Sequence, residues 1–445
     1  MPSAADRRLL AGWGGTAPTA SDVLPLAAAA SALHRPGDRG VLARGLGRSY
    51  GDAAQNAGGT ILDGTTHDDL IAIDTDTALA RVSGGVSLDR LLRRLVPLGF
   101  FVPVTPGTRF ITVGGAIAAD IHGKNHHRVG SWCSHVRSLT LATPGGILTV
   151  DPENEPELFW ATAGGMGLTG VILDATIDLP RIGSSHLDVD TDRTTDLDGV
   201  LALMSEGDHR YGYSVAWIDS LAKGRHLGRS ILSRGDFATD GDRTYDAAIK
   251  IELPAVVPSG MVNAWTIRAF NEMWYRKAPR RRRGELQTIP QFFHPLDGVG
   301  RWNRLYGPRG FLQWQFVVPF GAEDTLRLAI ERLAVAGVGS PVGVLKRFGN
   351  GDPGPLSFPA PGWTLALDLP IVPSLAELLD DLDERVVEAG GRIYLAKDSR
   401  VARRHVAAMY PRLDEWRTVR DRVDPGGVLV SDLDRRLNLS GHHPS

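Results

Sequence analysis

The sequence predicts an α+β fold for this 445-residue chain, and three observations lead there. Before residue 175, glycines gather in clusters that separate short β-rich runs from helical patterns. After Pro180 the aromatic residues concentrate, and apolar and polar residues alternate as in strands with one lined face. From about Gly390 the texture returns to mixed strand and helix. The expected units are therefore residues 1–180, a sheet-containing unit over 181–390, and a C-terminal segment over 391–445.

In chain order, Ser21 to Leu33 predicts a helix, with Ser-Asp as its cap and an alanine-rich body. Gly40 to Arg44, Thr60 to Asp63 and Leu79 to Ser83 read as strands. Ser87 to Leu98 places leucines at helical spacing behind a serine cap. Val136 to Ala142 is a further strand, Glu155 to Ala163 a third helix, and Gly170 to Ile177 a strand again. In the second unit, Gly310 to Val318 alternates and puts Gln313 and Gln315 on one face, with Trp314 and Phe316 on the other.

Composition excludes several classes. Hydrophobic content of 42% and charged content of 22% are those of a globular chain. A net charge of -2 provides no general attraction to nucleic acid. One cysteine, Cys133, allows neither an intrachain disulfide nor a thiolate-rich metal site. No apolar run approaches the ~20 residues of a membrane helix, and the N-terminus lacks a secretory pattern. The expected location is cytoplasmic, or peripheral to the inner membrane and cell envelope. Only six of the 49 basic residues are lysines, which singles out each lysine that is kept.

Three glycine loops carry the candidate chemistry. The first runs Ala43-Arg44-Gly45-Leu46-Gly47-Arg48-Ser49-Tyr50-Gly51-Asp52 after a short strand, where backbone amides can surround an anion. No amphipathic helix opens there, which weighs against a Rossmann fingerprint. The second, Pro106 to His127, packs small residues that let a flat ligand approach the backbone. Its His122, Lys124, His126 and His127 lack the spacing of a metal site, so no metal is expected. The third, Glu157 to Ile172, ends a helix in a glycine turn and starts a strand.

In this order the three loops resemble the FAD-binding domain of the vanillyl-alcohol-oxidase-type flavoproteins. Further segments extend the resemblance: Phe292 to Asp297, Tyr306 to Phe316, Pro355 to Trp363, Ala396 to Arg400 and Met409 to Trp416. Within that superfamily the chain resembles the decaprenylphosphoryl-β-D-ribose 2′-oxidases, flavin subunits of an actinobacterial 2′-epimerase, over nearly its whole length. The resemblance implies a two-subdomain FAD-binding domain, a substrate (cap) domain over 181–390, and a last segment that returns to the FAD-binding domain. It implies hydride transfer from the ribose C2′ carbinol to flavin N5, in the synthesis of arabinan precursors for the cell wall. It also implies a short-chain NADH-dependent reductase as partner, with quinone and O₂ both open as the final acceptor.

By the same resemblance the FAD contacts fall on Arg44, Gly45, Leu46, Gly47, Arg48, Ser49 and Tyr50 of the first loop. In the second they fall on Gly107, Thr108, Thr112, Gly114, Gly115, Ala118, Ala119, Ile121 and His122. Gly167, Gly170, Ile172 and Tyr394 complete them. Where covalent members carry a histidine this chain has Arg48, so FAD is expected to be held without a covalent bond. Lys397, Tyr50 and His122 are the expected catalytic residues; a buried Lys397 could act as base or as donor to the hydroxyl. Lys124, Gln313, Gln315, Lys346 and Lys397 are the expected substrate contacts. The chain departs from the family at Phe293, Thr364, Ala366, Val215 and Met166, mostly towards apolar residues. Two other readings stay open: an aldonolactone or alditol oxidase acting on soluble sugars, favoured by Phe293, Thr364 and Ala366, and a flavin-binding partner subunit without turnover, against which Lys397 and Tyr50 argue. The run Arg276 to Arg283 could meet anionic headgroups.

Overall fold

A computed structural model describes residues 6–254, 257–258 and 260–443. The first unit holds two sheets. In the four-stranded one the order is Asp6–Leu10, Thr19–Pro25, Thr60–Asp63, Val41–Arg44; its first pair is antiparallel and the other two are parallel. The five-stranded sheet is antiparallel, in the order Leu70–Asp74, Leu79–Ser83, Val171–Asp178, Val136–Thr143, Gly146–Val150.

The expected helix from Ser21 is a strand instead, and the α-helix is only Ala29–His34. Edge pairing decides this. Thr19–Pro25 has partners on both sides, and the Ser21 hydroxyl donates across to the Asn56 carbonyl at 2.7 Å rather than capping a helix. Tertiary pairing outweighs a local cap signal. At Leu88–Leu95 the local signal prevails: the Ser87 hydroxyl accepts from the Arg90 amide, and Leu88, Leu91, Leu92 and Leu95 are buried on one face. Pro156–Thr162 forms the third expected helix.

The second unit is built on an eight-stranded antiparallel sheet. Its order is Arg281–Thr288, His186–Thr194, Ser230–Phe237, Tyr213–Ile218, Gly343–Phe348, Gly362–Pro370, Phe311–Val318, Arg392–Ile393. Helices Glu323–Ala336 and Leu375–Glu388 pack on one face; Trp314, on that face, donates its indole N–H to Asp383 at 2.8 Å. The opposite face is left to the site.

The C-terminal segment is divided. Arg392–Ile393 extends the large sheet by pairing with Phe316 and Val317. The rest packs on the first unit: the Val41 amide donates to the Val428 carbonyl of that tail and its carbonyl accepts from the Val430 amide, Trp416 donates to the Ala161 carbonyl at 2.9 Å, and Arg436 clasps Asp52. One continuous apolar core runs through both units, from Leu91 and Phe100 to Phe316 and Leu379.

Candidate active site

The three loops meet around the helix Val113–Ala118. Gly114 donates to the Gly84 carbonyl at 2.7 Å, Gly164 to Ile117 at 3.1 Å and Met166 to Ala118 at 2.8 Å. The Thr112 hydroxyl caps this helix by accepting from the Gly115 amide. The first loop passes against that cap so closely that a Cβ on Gly45 would stand 2.3 Å from Thr112 Oγ1. Only glycine permits the crossing. Tyr50 leaves the first loop with its amide bonded to the Ala396 carbonyl, which brings the tail with Lys397 to the same place.

The large sheet supplies the facing wall. Its register sets Lys346 opposite Thr364, Ala366 opposite Gln315 and Asp368 opposite Gln313. Paired residues share a face of a sheet, so this face is polar while Trp314, Phe316, Leu365 and Leu367 fill the other. The Gln313 amide donates to Asp368 at 2.5 Å, and the Gln315 amide donates to His122 Nε2 at 2.9 Å and to Thr364 at 3.2 Å.

His122 connects the two walls. Its ring is wedged among Phe348, Phe358 and Tyr394, with its Nδ1 2.9 Å from Lys346 Nζ. Burial and the nearby Lys346 hold its pKa well below the usual histidine range, so the ring is neutral. With Nε2 accepting from Gln315, the ring proton sits on Nδ1 and points at Lys346. That contact needs a neutral amine, and burial lowers Lys346 to about 7, assisted by Lys124 and Lys397.

Burial alone brings Lys124 to about 7; its ammonium lies 4.3 Å from the Phe292 ring centre and bonds the Phe292 carbonyl. Lys397 is lowered to about 8 by burial, against the opposing pull of Asp368. Its Nζ sits 4.1 Å over the Tyr50 ring. Burial raises Asp368 to about 7, with Gln313 and Lys397 pulling it down. The site therefore brings the half-buried Lys124 and Lys397 near Lys346, with Asp368 facing Lys397, and two of the amines titrate near neutrality. Such a wall can accept an anionic ligand and can move a proton at Lys397.

Decaprenylphosphoryl-β-D-ribose oxidase of Mycolicibacterium smegmatis is 46% identical over 97% of this chain and 97% of its own length. The chain belongs to this oxidase family. An uncharacterized protein of Streptomyces coelicolor is 42% identical over 80% of the chain and its own entire length. Cytokinin dehydrogenase 2 of Arabidopsis thaliana is 32% identical over only 31% of the chain. An FAD binding domain model matches residues 19–151, and a D-arabinono-1,4-lactone oxidase model matches 372–437. The chain is thus an FAD-dependent oxidoreductase, which sets aside the reading as a subunit without turnover. No helix among the described residues is long and apolar enough to cross a membrane.

The loops fit the cofactor. Arg48 stacks 3.7 Å over Trp13, and its Nε is buried without a hydrogen-bond partner among the described residues, an unused donor suited to a diphosphate. A Cβ on Gly107 would meet nothing within 4 Å, so the second loop leaves bare backbone beside open space. The residues that would hold FAD are those of the first loop around Gly45 to Tyr50, the second around Gly107 to His122, and the third around Gly167 to Ile172.

Several expected contacts have a structural use as well. The Arg44 guanidinium donates to the carbonyls of Ala11 and Ala54, so what it offers a cofactor is main chain. The Thr108 hydroxyl donates to Asp297 at 2.7 Å. The Tyr394 hydroxyl donates to the Ala119 carbonyl at 2.7 Å and fixes the second loop from behind. His126 and His127 point elsewhere: His126 accepts from the Gly349 amide, and His127 meets the carbonyls of Asp208 and Tyr211. Phe293 lies in an aromatic cluster with Phe101 and Tyr213, and Cys133 is buried.

Asp368 is the site residue that the sequence reading missed. Its signal was the alternation Thr364, Ala366, Asp368, which repeats the spacing used for Gln313 and Gln315. Arg109 with Asp297 was missed too. These two are buried partners that join the second loop to the cap.

Proposed function

We propose that the chain oxidises the 2′-hydroxyl of a polyprenylphosphoryl ribose to the 2′-keto sugar. The observation that carries this reading is the approach of Lys124, from the second loop, and Lys397, from the tail, to Lys346 on the polar sheet face. A neutral sugar needs no such cations, whereas a phosphodiester beside the ribose does. The name of the Mycolicibacterium smegmatis relative supports the same substrate class.

Bound FAD supplies the acceptor for the carbinol hydride. Lys397, lowered by burial to about 8, takes the hydroxyl proton. Asp368, bonded to Gln313, balances the charge that Lys397 gains. Gln313 and Gln315 present amide edges to the ring hydroxyls. Lys346, neutral beside His122 without substrate and titrating at about 7, takes up a proton as the phosphate binds and meets it together with Lys124. The keto product requires a reductase to complete a 2′-epimerisation, and a short-chain NADH-dependent enzyme is the fitting partner. Arabinan precursor synthesis for the cell wall is the matching process.

Flavin bleaching under anaerobic conditions tests the substrate. Polyprenylphosphoryl ribose is expected to bleach the enzyme within one turnover, and free alditols or aldonolactones are not. The converse result would favour the second reading, a soluble-sugar oxidase. That reading rests on the lactone-oxidase match over residues 372–437, which include Lys397, and on the apolar Phe293 and Ala366.

Arg48 stands where a covalent flavin link would need a histidine, so the cofactor is held by contacts alone. Acid precipitation should leave the yellow colour in the supernatant. A coloured pellet would refute non-covalent binding.

A further inference from the structure

The helix Ala264–Lys277 lies on the cap surface with an unusual outer face. Its inner side is anchored: Ile267 and Asn271 are buried, and the Asn271 amide donates to Asp219 at 2.8 Å. Its outer side is apolar. Trp265 is 79% exposed and Met273 58%, while Phe270 and Trp274 stack at 6.0 Å in the open. Met261, just ahead of the helix, is exposed as well. Large side chains of this kind normally turn inward, and a cluster of them marks a contact surface.

The charge around this face has one sign. Arg268 lies 5.9 Å from the Trp265 ring centre and Lys277 5.9 Å from that of Trp274. Arg280 to Arg283 follow directly, exposed along the edge strand of the large sheet. Glu272, the acid of the helix, is already engaged by Arg229 and Arg276. Among the described residues Arg268, Lys277, Arg280 and Arg281 have no carboxylate within ion-pair distance. Exposed tryptophans and methionine ringed by arginine and lysine complement a leaflet of anionic lipid, apolar below and negative at the headgroups.

We infer that Ala264–Lys277 is an interfacial helix that docks the enzyme on an anionic membrane surface. The helix is also tied to the site. Val262 packs on the cluster of Trp302, Tyr306 and Phe311, against which Trp13 and Tyr50 also pack. The docked surface thus begins two residues beyond a contact with the wall that carries Tyr50 and, above it, Lys397. Delivery of a lipid-linked sugar by this route rests on the proposed substrate; the docking itself does not.

The test is flotation of the FAD-loaded full chain, without substrate, on vesicles of equal parts phosphatidylglycerol and phosphatidylcholine. The wild type should float with them, float less as salt rises, and float far less on phosphatidylcholine alone. The double variant Trp265→Ser with Met273→Ser should lose about tenfold or more in partitioning. Lys277→Glu with Arg281→Glu should lose a comparable amount. Both should keep their FAD content and melting temperature, since all four side chains are exposed. Wild type that does not float overturns the inference, and so does flotation untouched by both variants. A dimer in sedimentation that the Trp265 and Met273 changes abolish, with no vesicle binding, would assign the face to a second copy and overturn it too.

Discussion

Lys397→Met should bind FAD and reduce it about 10²–10⁴-fold more slowly with polyprenylphosphoryl ribose, the range lost with a general base. The amine is held near Asp368 and over Tyr50, and burial has already brought it down to about 8. The sign of the pH dependence follows. Below about 8 the group is an ammonium and cannot accept the hydroxyl proton, so kcat/KM should fall towards tenfold per pH unit on the acid side. Above about 8 it should level off. In Lys397→Met that acid limb should disappear along with most of the rate. Lys397→Arg keeps the positive charge but loses the proton-accepting form. It should be nearly as slow as the methionine variant. If arginine retained a tenth or more of the wild-type rate, Lys397 would be a charge or hydrogen-bond donor and the base would lie elsewhere.

Arg109→Met should cost about 3–5 kcal/mol, the usual penalty for stripping one partner from a buried ion pair. Arg109 and Asp297 are almost wholly buried, and the guanidinium reaches Asp89 at 2.5 Å and the Ala247 carbonyl at 2.6 Å as well. Asp297 in turn accepts from the Thr108 hydroxyl and the Arg109 amide. Burial already raises the Asp297 pKa, and the two arginines Arg109 and Arg48 oppose that rise. Without Arg109 the carboxylate is stranded, and thermal unfolding should move down by about 3–5 °C. Adding Asp297→Asn should recover part of the loss, because the orphan charge goes while an acceptor for Thr108 remains. An unchanged melting temperature in Arg109→Met would mean that the second loop is secured to the cap by other contacts. A purely local defect would show no rescue by Asp297→Asn.

How much was legible varied with the range of the interaction. The helix at Leu88–Leu95 was readable because its cap and its leucine spacing are local. The strand at Phe311–Val318 was readable because period two is local, and so the shared face of Gln313 and Gln315 was readable with it. The helix expected from Ser21 failed because strand partners at Asp6–Leu10 and Thr60–Asp63 claim that stretch, and nothing within Ser21 to Leu33 records them. Asp368 shares the period-two pattern of its strand, but its pairing with Gln313 was hidden for the same reason, as was the Arg109–Asp297 pair. Each depends on a partner 55 or more residues away.

The sequence by itself determined the fold class, the three glycine loops that suit FAD, and the scarcity of lysine that made Lys124, Lys346 and Lys397 worth following. Those features are written in residue type and short spacing. Only the tertiary structure decided that Lys124 and Lys397 come near Lys346, that a neutral His122 aims its ring proton at Lys346, and that Asp368 faces Lys397. Strand register and burial make those decisions: register chooses which side chains meet, and burial shifts their protons by removing water. Neither can be read from a chain before it is folded.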